Sequence, residues 1–190
     1  MNYVPNKLSE LIGRNEEIQQ IKSWLTDFYN PESEQKNALF IEGPSGIGKS
    51  ILIQFILDDL LYDTYRVDGC QFKNIKTFRD HCNNIMHSQN VLMMLNKHIQ
   101  KAIFIDELEA IVSTDKMIVT ELLGVINEHN IKKRGRTKKK KIIRNANPII
   151  CICHPIKNKK IKELMNDCDV IYLKNVPAVE LYVFIKDIMS

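Results

Sequence analysis

The sequence has no run of about 18 apolar residues, so no stretch of it is fit to be a membrane-spanning helix. Its opening, MNYVPNKLSEL, lacks the apolar core of a secretory signal. Cysteine is sparse: Cys70, Cys82, Cys151, Cys153 and Cys168 are odd in number and irregularly spaced. That pattern excludes a disulfide framework and implies a soluble protein in a reducing compartment, cytoplasm or nucleus. No internal repeat occurs. Acids are missing from one long stretch. Between Asn130 and Asn147 stand nine of the 27 Lys and Arg residues and no Asp or Glu. The other 18 basic residues face all 23 acids, which leaves the rest of the chain at −5 although the whole is +4. The basic character therefore belongs to one segment, carried by Lys132, Lys133, Arg134, Arg136, Lys138, Lys139, Lys140, Lys141 and Arg144.

At 190 residues, with 44% hydrophobic and 26% charged residues, the chain has enough length for one domain, or one and a fragment, with a sizeable core. Its most informative stretch runs from Ala38 to Leu61. The apolar residues Ala38 to Ile41 read as a buried strand, and an apolar-periodic helix starts at about Lys49. Between them Gly43, Pro44, Ser45, Gly46, Ile47, Gly48, Lys49 and Ser50 match G-x-x-x-x-G-K-[ST], followed by Ile51. Glycines let the backbone wrap an anion with its N–H groups turned inward, and the helix N-terminus behind adds positive potential. Lys49 is placed to reach the β- and γ-phosphates of a nucleotide, and the Ser50 hydroxyl to hold Mg²⁺.

A second apolar run, Lys101 to Ile105, ends in Asp106-Glu107-Leu108-Glu109. Such a run reads as a central parallel strand buried on both faces. Beside a P-loop its acids take distinct roles: Asp106 holds Mg²⁺ through water, and Glu107 is the general base for the water that attacks the γ-phosphate. Pro148 to Cys153 is a third run of this kind, ending at His154-Pro155. Weaker strands fall around Tyr65-Arg66-Val67 and from Val170 to Leu173. Helices are predicted over Asn15 to Tyr29, Ile75 to about Gln100 (weak, with a break near Ser88), Met117 to His129, Lys160 to Asn166 and Ala178 to Met189. The alternation implies an α/β fold with a parallel sheet covered on both faces. Cys151, Cys153 and His154 raise the question of a metal. Positions i and i+2 of a strand share a face, buried cysteine is common, and no second pair at zinc spacing exists, so core packing is the better reading.

With these motifs the chain resembles the AAA+ ATPases, and within them the clamp loaders. PNKLSELIGRNEEIQQIKSWL is similar to the opening box of that family, which implies that Ile12 packs on adenine, followed by Gly13. NPIICICHP with IKELMNDCDVIYLKNVPAVEL resembles the large subunit of replication factor C. The likeness spans nearly the whole chain. It implies a P-loop three-layer sandwich with a five-stranded parallel sheet, built from residues 1–175 with a basic insertion at 130–147. Residues 176–190 would be the first helix of a lid that is largely absent. ATP and Mg²⁺ are the implied cofactors. The implied partners are other clamp-loader subunits supplying an arginine finger, a sliding clamp, and DNA held by the basic segment.

Three departures qualify the likeness. The γ-phosphate sensor position carries His154 rather than Asn, and a neutral imidazole still donates one hydrogen bond. Asn166-Asp167-Cys168 stands where small subunits carry the Ser-Arg-Cys finger, which fits a large subunit better. The second sensor arginine, lid and collar have no counterpart, as in a truncated product or a minimal core that works with other chains. Another replication-initiation or helicase-loader ATPase, or a non-hydrolysing DNA-binding subunit, remains an alternative. The basic segment is open to three uses, solvated loop, targeting signal or phosphate contact, and the resemblance favours the last.

Overall fold

The three longest apolar runs become the middle of a sheet, because each can bury both faces at once. The computed structural model describes residue 5 and residues 7–68, 100–114, 117–127 and 147–189. Its strands are β1 (Ala38–Glu42), β2 (Asp63–Asp68), β3 (Lys101–Asp106), β4 (Ile149–Cys153) and β5 (Asp169–Tyr172). Among the described residues they form one five-stranded sheet in the order β2-β3-β4-β1-β5. Every pairing is parallel. The helices are α1 (Asn15–Asp27), α2 (Lys49–Asp59), α3 (Leu108–Thr114), α4 (Met117–Asn127), α5 (Lys159–Asn166) and α6 (Ala178–Met189), preceded by a 3₁₀ turn at Leu8–Glu10.

Alternation along each strand assigns the two cores. Ala38, Phe40, Ile103, Ile105, Ile149, Cys151 and Cys153 face α3, α4 and α5. Leu39, Ile41, Ala102, Phe104, Ile150 and Ile152 face α1 and α2. The result is the three-layer sandwich expected from the sequence. Cys151 and Cys153 are packing residues of the first core, buried with Leu108, Ile111 and Leu122. Across the sheet, Trp24 of α1 donates its indole N–H to Asp169 at 2.8 Å, and the same oxygen accepts the Lys36 N–H at 2.9 Å. These bonds fasten the N-terminal helix to the edge strand β5.

The sequence-based boundaries hold within two residues for α1, α5 and β5, and α6 matches at both ends. Helix α3 was not anticipated. The region from Ile75 to residue 99, the end of the predicted Met117 to His129 helix, and the basic stretch lie outside the described residues. On α6, Val179, Tyr182, Val183 and Ile185 are exposed.

Candidate nucleotide-binding site

Parallel strands put their carboxyl ends on one edge, so the loops after β1, β3 and β4 converge. The register sets Glu42 opposite Cys153 and Ile105 opposite Cys151. Gly43 donates its N–H to the Cys153 carbonyl at 3.3 Å. A Cβ on Gly43 would lie 2.7 Å from the Leu173 carbonyl oxygen, so only glycine lets the chain leave β1 here. Gly46 and Gly48 answer a different demand. Their φ values, +76° and +85°, are left-handed, while an added Cβ would meet nothing within 4 Å. The loop thus turns by backbone conformation alone and delivers the chain into α2, whose first-turn N–H groups have no intrahelical acceptors.

Lys49, the first residue of α2, is 6% exposed. Its ammonium donates to the carbonyls of Gly43 at 2.8 Å and Pro44 at 2.7 Å. Burial pushes its pKa below the usual lysine value, opposed by the negative charges of Glu109 and Asp106. Ser50 donates its hydroxyl to Asp106 Oδ1 at 3.0 Å. Asp106 is buried at the end of β3 and also accepts from the Glu107 N–H at 3.0 Å and from Arg66 at 2.8 Å. The Arg66 guanidinium, on β2, lies 5.6 Å from the Phe104 ring centre and bonds Asp68 at 2.7 Å. Sequence reading missed Arg66, because an isolated base on a half-exposed strand carries no motif.

Glu107 has φ +50°, a left-handed conformation that costs a non-glycine residue on the order of 1–3 kcal/mol. It stands exposed at the strand-to-helix turn, and its carbonyl accepts the Ala110 N–H at 2.9 Å, opening α3. Strain is thus spent at the residue whose carboxylate faces outward beside Asp106.

His154, the first residue after β4, is tied to the third acid of the D-E-L-E run. Its N–H donates to Glu109 Oε2 at 3.2 Å, and the same carboxylate lies against its Nδ1. Glu109 also hydrogen-bonds the Cys153 thiol, whose pKa is driven well up by burial and then by that carboxylate. Glu109 was visible in the sequence, but its use was not.

On the other flank, Gly13 has φ +61°, and the Val176 side chain and Glu180 carboxylate fill the space a Cβ would need. Gly13, one residue beyond the half-buried Ile12, thus lies against the segment that leads from Leu173, the neighbour of Gly43, into α6. Pro44, Ser45 and Ile47 complete the loop, with Ile47 against Gly43 and Ile51 outward at 41% exposure. Lys132, Lys133, Arg134, Arg136, Lys138, Lys139, Lys140 and Lys141 lie outside the described residues.

The donor set fits the groups the motif implies. A serine hydroxyl and a carboxylate oxygen 3.0 Å apart suit Mg²⁺, which prefers few protein oxygens and completes its shell with water and phosphate. Among the described residues no cluster of three or more His, Cys, Asp or Glu could hold a metal by itself. The glycine loop, the α2 N-terminus and a buried lysine suit a polyphosphate.

A family model described as ATPase family associated with various cellular activities (AAA) matches residues 39–175. The chain is 22% identical to the replication factor C large subunit of Methanococcus aeolicus, over 92% of this chain and 32% of that one. It is 22% identical to replication factor C subunit 1 of Arabidopsis thaliana, over 87% of this chain and 18% of that one. For the replication factor C large subunit of Thermococcus kodakarensis the figures are 21%, 64% and 23%. The chain therefore spans less than a third of the length of these relatives, 18% to 32%. The solved ORC2 protein of Aeropyrum pernix, in complexes with ADPNP and ADP, has the same fold, with a TM-score of 0.59 at 15% identity over 98% of this chain and 53% of that one.

Proposed function

The chain belongs to the AAA family of ATPases, and from that membership we propose that it binds and hydrolyses Mg-ATP as a subunit of a sliding-clamp loader in DNA replication. One observation carries the ATPase reading. Ser50 and Asp106 meet at 3.0 Å below the glycine loop, with Glu107 turned outward beside them. In this reading the loop and Lys49 bind the phosphates, Ser50 and Asp106 hold the Mg²⁺ that neutralises phosphate charge, and Glu107 takes the proton of the attacking water. Ile12 and Gly13 border the base. The clamp-loader assignment is supported by likeness to replication factor C large subunits over 57% to 92% of the chain.

Lys49→Ala tests the site. Losing charge-assisted hydrogen bonds to phosphate should weaken ATP binding by roughly ten- to a hundredfold, measured by titration on a variant whose circular dichroism is unchanged. Undiminished affinity would remove the P-loop assignment.

The basic segment is proposed to contact DNA phosphates without sequence preference. If about half of its charges engage, roughly four phosphates are neutralised and the log–log salt slope of binding is about −3 to −4. Deleting Lys138 to Lys141 should flatten that slope, in a filter-binding or anisotropy titration across salt. An unchanged slope and affinity would assign the segment to solvated loop or targeting.

A further inference from the structure

We propose that Arg66 is a counter-cation of the metal site: its guanidinium competes with Mg²⁺ for Asp106 and passes to Asp68 when the metal binds. The proposal rests on reading the site as a Mg-ATP site. Strand register supplies the arrangement. The parallel pairing of β2 with β3 sets Arg66 beside Phe104 and Asp68 beside Asp106. Residues two apart on a strand share a face, and so do lateral partners in a pleated sheet, so these four side chains form one square. Phe104 packs into the core beneath α1 and α2, which puts the square on the side of the sheet that carries Ser50. The bonds agree. Ser50 donates to Asp106 Oδ1 at 3.0 Å, while Arg66, 5.6 Å from the Phe104 ring centre, donates through Nη2 to Asp106 Oδ2 at 2.8 Å. Its Nε donates to Asp68 Oδ1 at 2.7 Å.

The two ends of the Arg66–Asp106 pair are unequal. The arginine side chain is 48% exposed and the aspartate 4%. Asp106 is held on Oδ1 by the Ser50 hydroxyl and the Glu107 N–H, so the carboxylate stays and the guanidinium is the part that can swing. A carboxylate paired with one cation has less charge to give another. With Arg66 on Oδ2, a metal ion drawn to Ser50 and Oδ1 meets a partly neutralised ligand and a like charge beside it. Asp68 supplies the way out. Arg66 already bonds it, and two carboxylates on one face let the guanidinium keep a partner as it leaves Asp106. Arg66 is thus a positioning residue: it sets how much Mg²⁺ the site requires through Asp106, without touching the nucleotide.

Calorimetric titration of the chain with the β,γ-imido analogue of ATP, which is not hydrolysed, tests this across a series of free Mg²⁺ concentrations. It yields the metal concentration at which the gain in nucleotide affinity is half complete. A single charge within a few ångströms of a divalent ion changes its affinity by about tenfold even in a water-like dielectric. Arg66→Gln should therefore lower that midpoint by about tenfold. Asp68→Asn, which removes the second carboxylate, should raise the midpoint when Arg66 is present and leave it in place in the Arg66→Gln background. Thermal unfolding without nucleotide separates a structural role, since a fold defect alone would lower the Tm and leave the midpoint where it was. A midpoint unchanged or raised in Arg66→Gln overturns the proposal, because Arg66 would then only brace Asp106. An Asp68→Asn shift that persists without Arg66 overturns it too, and either result leaves the Mg-ATP reading standing. Nucleotide affinity indifferent to Mg²⁺ in the unmodified chain overturns both.

Discussion

Glu107→Gln is expected to keep ATP bound while cutting turnover by about 10²- to 10⁴-fold, the usual contribution of a positioned general base. The two effects separate because the two acids do different work. Asp106 accepts from Ser50, Arg66 and the Glu107 N–H, so changing it disturbs the loop, β2 and the turn together. The Glu107 side chain is exposed, and the bonds at this position belong to its backbone. Glutamine meets the same left-handed backbone at the same cost, so the turn should survive and thermal unfolding should stay put. A glutamine amide has no basicity for a water proton. Single-turnover kinetics and ATP retention on gel filtration are the measurements. Hydrolysis by the variant at the wild-type rate would show that Glu107 is not the base.

Much of the fold was legible because its central strands are short apolar runs with no periodicity to confuse them, and because Pro177 and the apolar spacing mark the start of α6. Edge strand β2 was visible only at its centre, since its outer face is half exposed and its ends are acids. Helix α3 was hidden for a local reason. It begins one residue after β3, and the reversal is made by Glu107 in a left-handed conformation rather than by a glycine or proline that would announce a turn.

The site shows a similar division. The glycine loop and the Asp106-Glu107 pair are each contiguous in sequence, so the chemistry proposed for them is read from spacing. Arg66 and Glu109 act over separations of 40 and 45 residues, on Asp106 and His154. Only the parallel pairing of β2 with β3, and the packing of α3 behind β4, bring them in. What a residue does through a distant neighbour leaves no local pattern.

On its own the chain is expected to be a slow ATPase, accelerated about 10³-fold or more by a partner that inserts an arginine. In the resembled family the nucleotide lies between subunits, and a neighbour's guanidinium stabilises charge on the transferring phosphoryl group. Among its described residues this chain has little to offer in return. Arg14 and Arg66 are its two described arginines; one is buried and paired with Glu17 at 3.2 Å, the other is drawn onto Asp106 and Asp68. Where a finger would stand, Asn166 closes α5, Asp167 accepts from Asn127 at 3.0 Å, and Lys36 ties down the carbonyls of Asn166 and Cys168. Cys168 is buried, its thiol pushed up to about 12 chiefly by desolvation, so at neutral pH it carries no charge and is no nucleophile. Self-association should therefore leave the rate unchanged, whereas a subunit bearing Ser-Arg-Cys should raise it, and replacing that arginine by alanine should cancel the gain. Turnover measured against concentration, alone and with the partner, decides it. A fast rate independent of the chain's own concentration would mean a self-sufficient site, and the clamp-loader assignment would give way to another class of AAA ATPase.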